Sequence, residues 1–216
     1  MRPLTDATPK PLLEAGGKPL IAWHIEKLAA AGCTRIVINH AHLGAAIETA
    51  LGDGSHFGVE IAYSPEPRAL EAAGGIANAL PLLGNAPFAA VNADVFSDYD
   101  YALLAQAIAR LAQPGPLAHL VLVGNPAHNP RGDFALHGTR ITLKGERLTY
   151  SGIAAYRPEF FDTIARGSKA PLAPLLRKHI AARRVSGEHY RGRWCDVGTP
   201  ERLAALRRGL TAAQGL

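Results

Sequence analysis

The chain has 216 residues, 48% of them hydrophobic and 19% charged, which gives length for a real core and excludes a disordered chain. No apolar run approaches the ~18–20 residues of a membrane span, and no apolar stretch follows Met1 as in a signal peptide, so a cytoplasmic protein without a membrane partner is expected. Two distant cysteines, Cys33 and Cys195, exclude a disulfide framework, and a net charge of +5 points to an anionic partner, either a small phosphorylated one or nucleic acid.

The opening, Arg2-Pro-Leu-Thr-Asp-Ala-Thr-Pro-Lys-Pro11, reads as a stiff loop, because Pro3, Pro9 and Pro11 fix φ and oppose helix. Its two cations, Arg2 and Lys10, form a candidate clamp for a polyphosphate, with a merely solvated basic arm as the alternative. Pro19 to Ala31 is predicted helical, with proline in its first turn and Gly32 as its stop. Arg35 to Asn39 is a β-branched strand, Leu43 to Leu51 a helix and Val59 to Tyr63 a strand. Ala69 to Leu83 is the next helix, interrupted at Gly74-Gly75. Phe88 to Asn92 is a strand ending in Ala93-Asp94, and Tyr101 to Leu111 a helix. This alternation predicts an α/β fold, a Rossmann-like three-layer α/β/α sandwich with a mostly parallel central sheet.

After Pro116 the rhythm changes. Leu117 to Gly124 is one more buried strand. Asp133 to His137, Arg140 to Lys144 and Gly152 to Tyr156 read as shorter alternating strands, a small β-rich extension with turns at Gly132, Gly138-Thr139 and Gly145. Pro158 to Ala165 and Pro171 to Ala182 return to helix. Thr199 to Arg208 is a helix capped by Thr199 and opened by Pro200.

Ligands of open parallel sheets bind beyond the carboxyl ends of the strands, which singles out Asp94. A carboxylate there is placed to hold Mg²⁺ beside a substrate phosphate, or to cap the next element as Asp98 and Asp100 do. Asp196, on a tight turn before the last helix, is a second candidate, with a turn hydrogen bond as its alternative. Gly74-Gly75 at a helix start permits close backbone approach and free N–H groups for an acceptor, or else tight helix packing. His40 and His42 form an i, i+2 pair for which a loop or capping role outweighs a metal.

Five segments together resemble the sugar nucleotidyltransferase family, whose members join a nucleoside triphosphate to a sugar 1-phosphate. They are Arg2-Pro-Leu-Thr…Pro9-Lys10-Pro11, Leu70-Glu-Ala-Ala-Gly-Gly75, Asn92-Ala-Asp94, Tyr150-Ser-Gly-Ile153 and Trp194-Cys-Asp-Val-Gly-Thr-Pro-Glu201. The resemblance spans nearly the whole chain and implies one nucleotidyltransferase domain over 1–216. It implies catalytic roles for Lys10, Arg2 and Asp94, with Asp94 and Asp196 as paired Mg²⁺ ligands. It further implies nucleotide contacts from Glu71, Ala72, Ala73, Gly74, Gly75 and Asn92. The sugar phosphate falls to Gly132, Asp133, Glu146, Tyr150, Ser151 and Gly152. Within the family the chain looks most like compact uridylyltransferases of bacterial cell-wall recycling, which implies UTP and N-acetylmuramic acid α-1-phosphate as substrates and a monomer that binds no nucleic acid. Mannose-1-phosphate guanylyltransferases are the near alternative. The family's pattern opens with an apolar strand and a glycine-rich loop ahead of the Arg-Pro-Leu-Thr segment; here Met1 stands where that loop ends, so both parts are expected upstream of Met1.

Two functions of other classes stay open: a nucleotide sensor without activity, and a nucleic-acid-binding module built on arginines such as Arg183, Arg184, Arg207 and Arg208. The arginines lack interleaved aromatics, so solvated helix faces explain most of them.

Overall fold

The computed structural model describes residues 1 and 3–213. The chain opens with a helical turn, α1 (Leu4–Ala7), and a 3₁₀ turn at Lys10–Leu12. There follow a short hairpin, β1 (Glu14–Ala15) and β2 (Lys18–Pro19), then α2 (Leu20–Ala30), β3 (Arg35–His40), α3 (Gly44–Leu51) and β4 (Glu60–Pro65). Next come α4 (Glu71–Leu83), β5 (Phe88–Val91), β6 (Val95–Ser97), α5 (Tyr101–Leu111) and β7 (Ala118–Val123). The remainder is β8 (Phe134–His137), β9 (Arg140–Thr142), β10 (Arg147–Tyr156), α6 (Leu172–Ala181), β11 (Val185–His189), β12 (Trp194–Asp196) and α7 (Pro200–Ala213).

The fold is α/β and layered, but its largest sheet is mixed rather than mostly parallel. Its order is β5-β10-β7-β11-β9-β8, with β8 also pairing with the start of β10. Only β7 and β11 run parallel there, while β10 is antiparallel to β5, β7 and β8. Connectivity accounts for the β8–β9 hairpin, since a short turn makes antiparallel neighbours, whereas β10 meets β5, β7 and β8 by pairing at longer range. A separate parallel pair, β3 with β4, keeps the βαβ character of the first half.

Burial follows the period of two along the strands. Leu120, Leu122, Ala154 and Tyr156 point to one face of the sheet, where they meet Ala73 and Ala77 of α4 and Leu175, Leu176 and Ile180 of α6. Val121, Ile153 and Ala155 point to the other, against Tyr101, Leu104 and Leu111 of α5. β7 is buried along its full length, as a strand between two helix layers must be. A third cluster packs α2 and α3 on β3 and β4 through Ile21, Ile25, Ile47, Leu51, Ile38 and Ile61.

Several expectations need correction. The opening segment is not a stiff loop throughout: Pro3 stands at the N-cap of α1, where a missing N–H costs nothing, and accepts the N–H of Asp6 at 3.0 Å. Gly74-Gly75 does not interrupt α4, because both glycines sit where the helix touches backbone or polar side chains. A Cβ on Gly74 would strike the Ser168 carbonyl oxygen, and one on Gly75 would lie 2.5 Å from Asn39 Nδ2 and Glu66 Oε1. The strand expected from Gly152 begins earlier, at Arg147, and shifts register between Tyr150 and Ala154 around Gly152, whose φ is +80°. The helix expected over Pro158 to Ala165 is a 3₁₀ turn at Pro158–Phe161. The short strands β1, β2, β6, β11 and β12 were not foreshadowed by periodicity.

One buried polar group ties three elements together. His24 of α2 bonds the Tyr101 hydroxyl through Nδ1 at 2.7 Å and the Val95 carbonyl through Nε2 at 2.8 Å. The carbonyl can only accept, so Nε2 carries the proton and Nδ1 accepts from tyrosine. Burial holds the His24 pKa down at about 4, against an ordinary 6.5. Above pH 6.5 both folded and unfolded chains carry a neutral His24; between 6.5 and about 4 only the unfolded chain takes up the proton. Stability is therefore lost as pH falls through that window, by on the order of 3 kcal/mol from this group. Urea titrations at several pH values are expected to show this acid limb, and a His24→Gln variant is expected to lack its share of it.

Candidate functional site

The ladder between β6 and β12 builds the site. Asp196 stands opposite Val95, and the Val197 N–H donates to the Asp94 carbonyl at 2.9 Å. Two carboxylates from distant parts of the sequence thus leave neighbouring backbone positions of one ladder. Asp94 lies just past β5, where strand-end reasoning put it. The Asn92 N–H donates to the Gly152 carbonyl at 2.8 Å, so the bulge of β10 holds the approach to Asp94.

Each carboxylate faces cations. Lys10 Nζ, on its 3₁₀ turn, is 3.6 Å from Asp94 Oδ2, and both side chains are about two-fifths exposed (42% and 36%). Asp196 Oδ2 accepts from Arg202 Nη1 at 3.0 Å and lies 3.1 Å from His128 Nε2. Thr199 caps α7 by accepting the Arg202 N–H at 3.3 Å, which aims that first turn back at Asp196. Arg202 and His128 were not singled out from sequence; Arg202 carried a signal, its place in the first turn after the Thr199-Pro200 cap, and His128 carried none. Arg2 lies outside the described residues.

The donor set fits a hard divalent cation. Among the described residues no three His, Cys, Asp or Glu side chains gather into a metal cluster. Mg²⁺ does not need one, since it binds through one or two carboxylates and completes its shell with water and substrate phosphate. Two carboxylates, each about a third exposed, at neighbouring positions of one ladder match that habit. Burial, reinforced by the Asp196 charge, pushes the neighbouring Cys195 thiol up, away from thiolate. Lys10 also stands between two cavities, one of about 700 Å³ that reaches Asn92, Asp94 and Ala72, and one of about 520 Å³ lined by Thr5, Pro9, Asn39 and His42.

The remaining candidates divide. Glu71 begins α4 at φ +60° and pairs with Lys169 at 3.1 Å, a strained backbone position of the kind that collects at ligand sites. The helix start is less open than expected, because the Ala73 and Gly74 N–H groups both donate to the Ala170 carbonyl at 3.1 Å. Asp133 accepts the Tyr150 N–H at 2.8 Å and the Asn129 amide at 3.2 Å, and Gly132 turns beside Asn125 at φ +57°. The Ser151 hydroxyl donates to the Val121 carbonyl at 2.7 Å and the Tyr150 ring is buried against Tyr156, so this segment offers the site backbone more than side chain. Glu146 sits exposed in the turn between β9 and β10. His40 ends β3 and meets Glu48 of α3 at 2.7 Å, a side-chain pair rather than the loop or capping role expected.

The nucleotidyl transferase family model matches residues 1–133. The chain is 57% identical over 208 residues to the N-acetylmuramate alpha-1-phosphate uridylyltransferase of Neisseria meningitidis serogroup B, covering 94% of this chain and 90% of that one. It is 36% identical over 126 residues to a mannose-1-phosphate guanylyltransferase of Mycobacterium tuberculosis, covering 58% of this chain and 35% of that one. The fold superimposes on apo UDP-glucose pyrophosphorylase with a TM-score of 0.80 at 16% identity, over 99% of this chain and 94% of the other.

Asp94→Asn and Asp196→Asn are each expected to lower turnover by about a hundredfold or more, the scale of losing one preorganised charge contact. Because both carboxylates are about a third exposed, the stability change is expected to stay near 1 kcal/mol or less. Steady-state rates with urea midpoints check this pair of outcomes; turnover within about threefold of the parent in either variant removes that carboxylate from the site.

Proposed function

The chain belongs to the nucleotidyl transferase family, and on that premise we propose that it joins UTP to N-acetylmuramic acid α-1-phosphate, with Mg²⁺ as the metal and pyrophosphate as the second product. The observation that carries the substrate pair is the identity with the meningococcal uridylyltransferase, which extends over nearly all of both chains. The product would return a cell-wall amino sugar to its nucleotide-activated form.

The residues suit the chemistry. An oxygen of the sugar 1-phosphate attacks the α-phosphorus of UTP in line; the new P–O bond forms as the bond to the β-phosphate oxygen breaks, and pyrophosphate leaves. The attacking phosphate is already ionised near neutral pH, so no general base is required. Positioning and charge remain for the protein. Asp94 and Asp196 would hold Mg²⁺, which when bound neutralises phosphate charge. Lys10, a point charge on a flexible stem beside Asp94, would follow a phosphate oxygen from ground state to transition state. Arg202 holds the Asp196 carboxylate, with His128 beside both, and would add positive charge where anionic substrates arrive. Gly152 would line the sugar phosphate, and Asn92, joined to it through backbone, the nucleotide.

Pyrophosphate release measured over four nucleoside triphosphates and a panel of sugar 1-phosphates tests the substrate pair. UTP with N-acetylmuramic acid α-1-phosphate is expected to give the highest kcat/KM. A higher value for GTP with mannose 1-phosphate would shift the assignment to the guanylyltransferases, and release with no pair would leave a nucleotide sensor.

Lys10→Met is expected to lower kcat strongly, and Lys10→Arg is expected not to restore it, because the planar fork of arginine meets a phosphate differently from an ammonium. A rise in the KM for sugar phosphate with kcat unchanged would make Lys10 a binding residue instead.

A further inference from the structure

The ladder of β6 and β12 is fastened to the main sheet by polar side chains that the phosphoryl chemistry does not use. Tyr99, two residues past β6 and 1% exposed, donates its hydroxyl proton to Glu188 Oε1 of β11. The Tyr99 N–H donates to the Ser97 hydroxyl at 3.1 Å, and that hydroxyl donates in turn to the Arg193 carbonyl at 3.2 Å. The Asp98 N–H reaches the same carbonyl at 3.1 Å. One phenol thus connects β11 to the end of the ladder, where Ser97 pairs with Trp194.

Behind Glu188 lies a buried histidine. His119 of β7 has Nδ1 at 3.0 Å from Ser186 Oγ. The single Ser186 proton goes to the Ala118 carbonyl at 3.2 Å, so Nδ1 carries a proton and donates to Ser186. Nε2 is buried without a hydrogen-bond partner and faces Glu188 Oε1 at 3.6 Å. The His119 ring, with the Tyr99 hydroxyl after it, holds the Glu188 carboxyl below the usual carboxylate range. Burial, with the Glu188 carboxylate after it, pushes the Tyr99 hydroxyl up, so the phenol keeps its proton and the carboxylate accepts it. A bond to an ionised acceptor is among the stronger hydrogen bonds, and removing one partner leaves the other buried and unsatisfied.

The placing of this ladder matters because both carboxylates of the site hang on it, Asp196 opposite Val95 and Asp94 through the Val197 N–H. β6 and β12 have three residues each, well under the usual strand length, so their own pairing fixes them only loosely. Side chains from outside the ladder supply the rest. His24 bonds the Val95 carbonyl at one end, and Lys27 bonds the Ser97 carbonyl at the other at 2.6 Å. A tie from the Tyr190 hydroxyl to Asp98 lies at the surface, where water competes for both groups. The Tyr99–Glu188 bond is the one that joins the ladder's end to a strand of the main sheet through a buried side chain.

We propose that Tyr99 and Glu188 are positioning residues of the site: their bond clamps the β6–β12 ladder to β11 and so sets how Asp94 and Asp196 stand relative to each other. The inference rests on the reading of those two carboxylates as the working pair. Both residues act through the ladder, not on substrate.

The test reads Tyr99→Phe, Glu188→Ala and the double variant by amide hydrogen exchange without substrate, and by kinetics with UTP and N-acetylmuramic acid α-1-phosphate. Tyr99→Phe keeps the ring against Tyr101 and Tyr190 and removes only the hydroxyl. Exchange at the Asp98 and Val197 amides is expected to quicken by about tenfold, the scale of one such bond, while amides of α6 keep their rates. kcat is expected to fall by about tenfold or more at nearly constant KM. Glu188→Ala is expected to match it, and the double variant to be no worse than either, because all three lose the same bond. Glu188→Gln, whose amide oxygen still accepts from Tyr99, is expected to recover most of what Glu188→Ala loses. Unchanged exchange at Val197 in Tyr99→Phe, or exchange that quickens equally in α6, overturns the proposal, as does a kcat within about twofold of the parent. If Glu188→Ala fails to fold, Tyr99→Phe decides alone. Because exchange is read without substrate, a parent chain that turns over no substrate pair while Val197 responds as expected counts against the substrate assignment and supports the clamp.

Discussion

The short antiparallel ladder of β6 and β12 is the constraint on which the site depends. Through it the Val197 N–H reaches the Asp94 carbonyl and Asp196 stands opposite Val95. The same ladder brings Phe96 and Val197 into one cluster with Leu203, Leu206 and Leu210 of α7 and with Leu13 and Leu20 near the chain's start. The last helix is therefore docked on the first elements by apolar burial, and the ladder converts that docking into the proximity of two carboxylates. Trp23 reinforces the joint by donating to the Ala15 carbonyl at 2.9 Å and meeting Phe96 edge-on at 5.4 Å. Neither half of the chain makes the site alone.

The electrostatics of that joint suit an anionic ligand. Each of the two carboxylates is met by a cation, Lys10 at Asp94 and Arg202 at Asp196, with His128 3.1 Å from the latter. These contacts are partly exposed and therefore individually weak, so the same groups can exchange partners at little cost. The surrounding framework is more rigid. Ser151, Asn125, Asn129 and Asp133 bond to one another's backbone or to neighbouring strands, so the residues around the bulge at Gly152 have little freedom. A stiff frame with exchangeable charges at its mouth is the arrangement that positioning catalysis requires.

Much of this was legible in the chain. The helices over Leu20–Ala30, Tyr101–Leu111 and Leu172–Ala181 and the strands over Arg35–His40, Phe88–Val91 and Ala118–Val123 follow from periodicity, proline placement and glycine stops, all of them local signals. Asp94 could be picked out because strand ends are where open sheets bind ligands, and the Thr199 cap because its side chain bonds within its own helix. β1, β2, β6 and β12 escaped notice because two or three residues have no period to read; β12 is a strand only because β6 lies beside it.

What the sequence by itself determined is the alternation of elements, the apolar faces that separate the layers and the identity of the acidic and basic residues at loop ends, since each depends on neighbours within a few positions. Only the tertiary structure decided that β10 enters antiparallel between β5 and β7 and that Arg202 and His128 close on Asp196. Those outcomes depend on which distant segments share buried backbone and charge, and pairing at long range is set by packing of the whole chain rather than by the preference of any stretch of it.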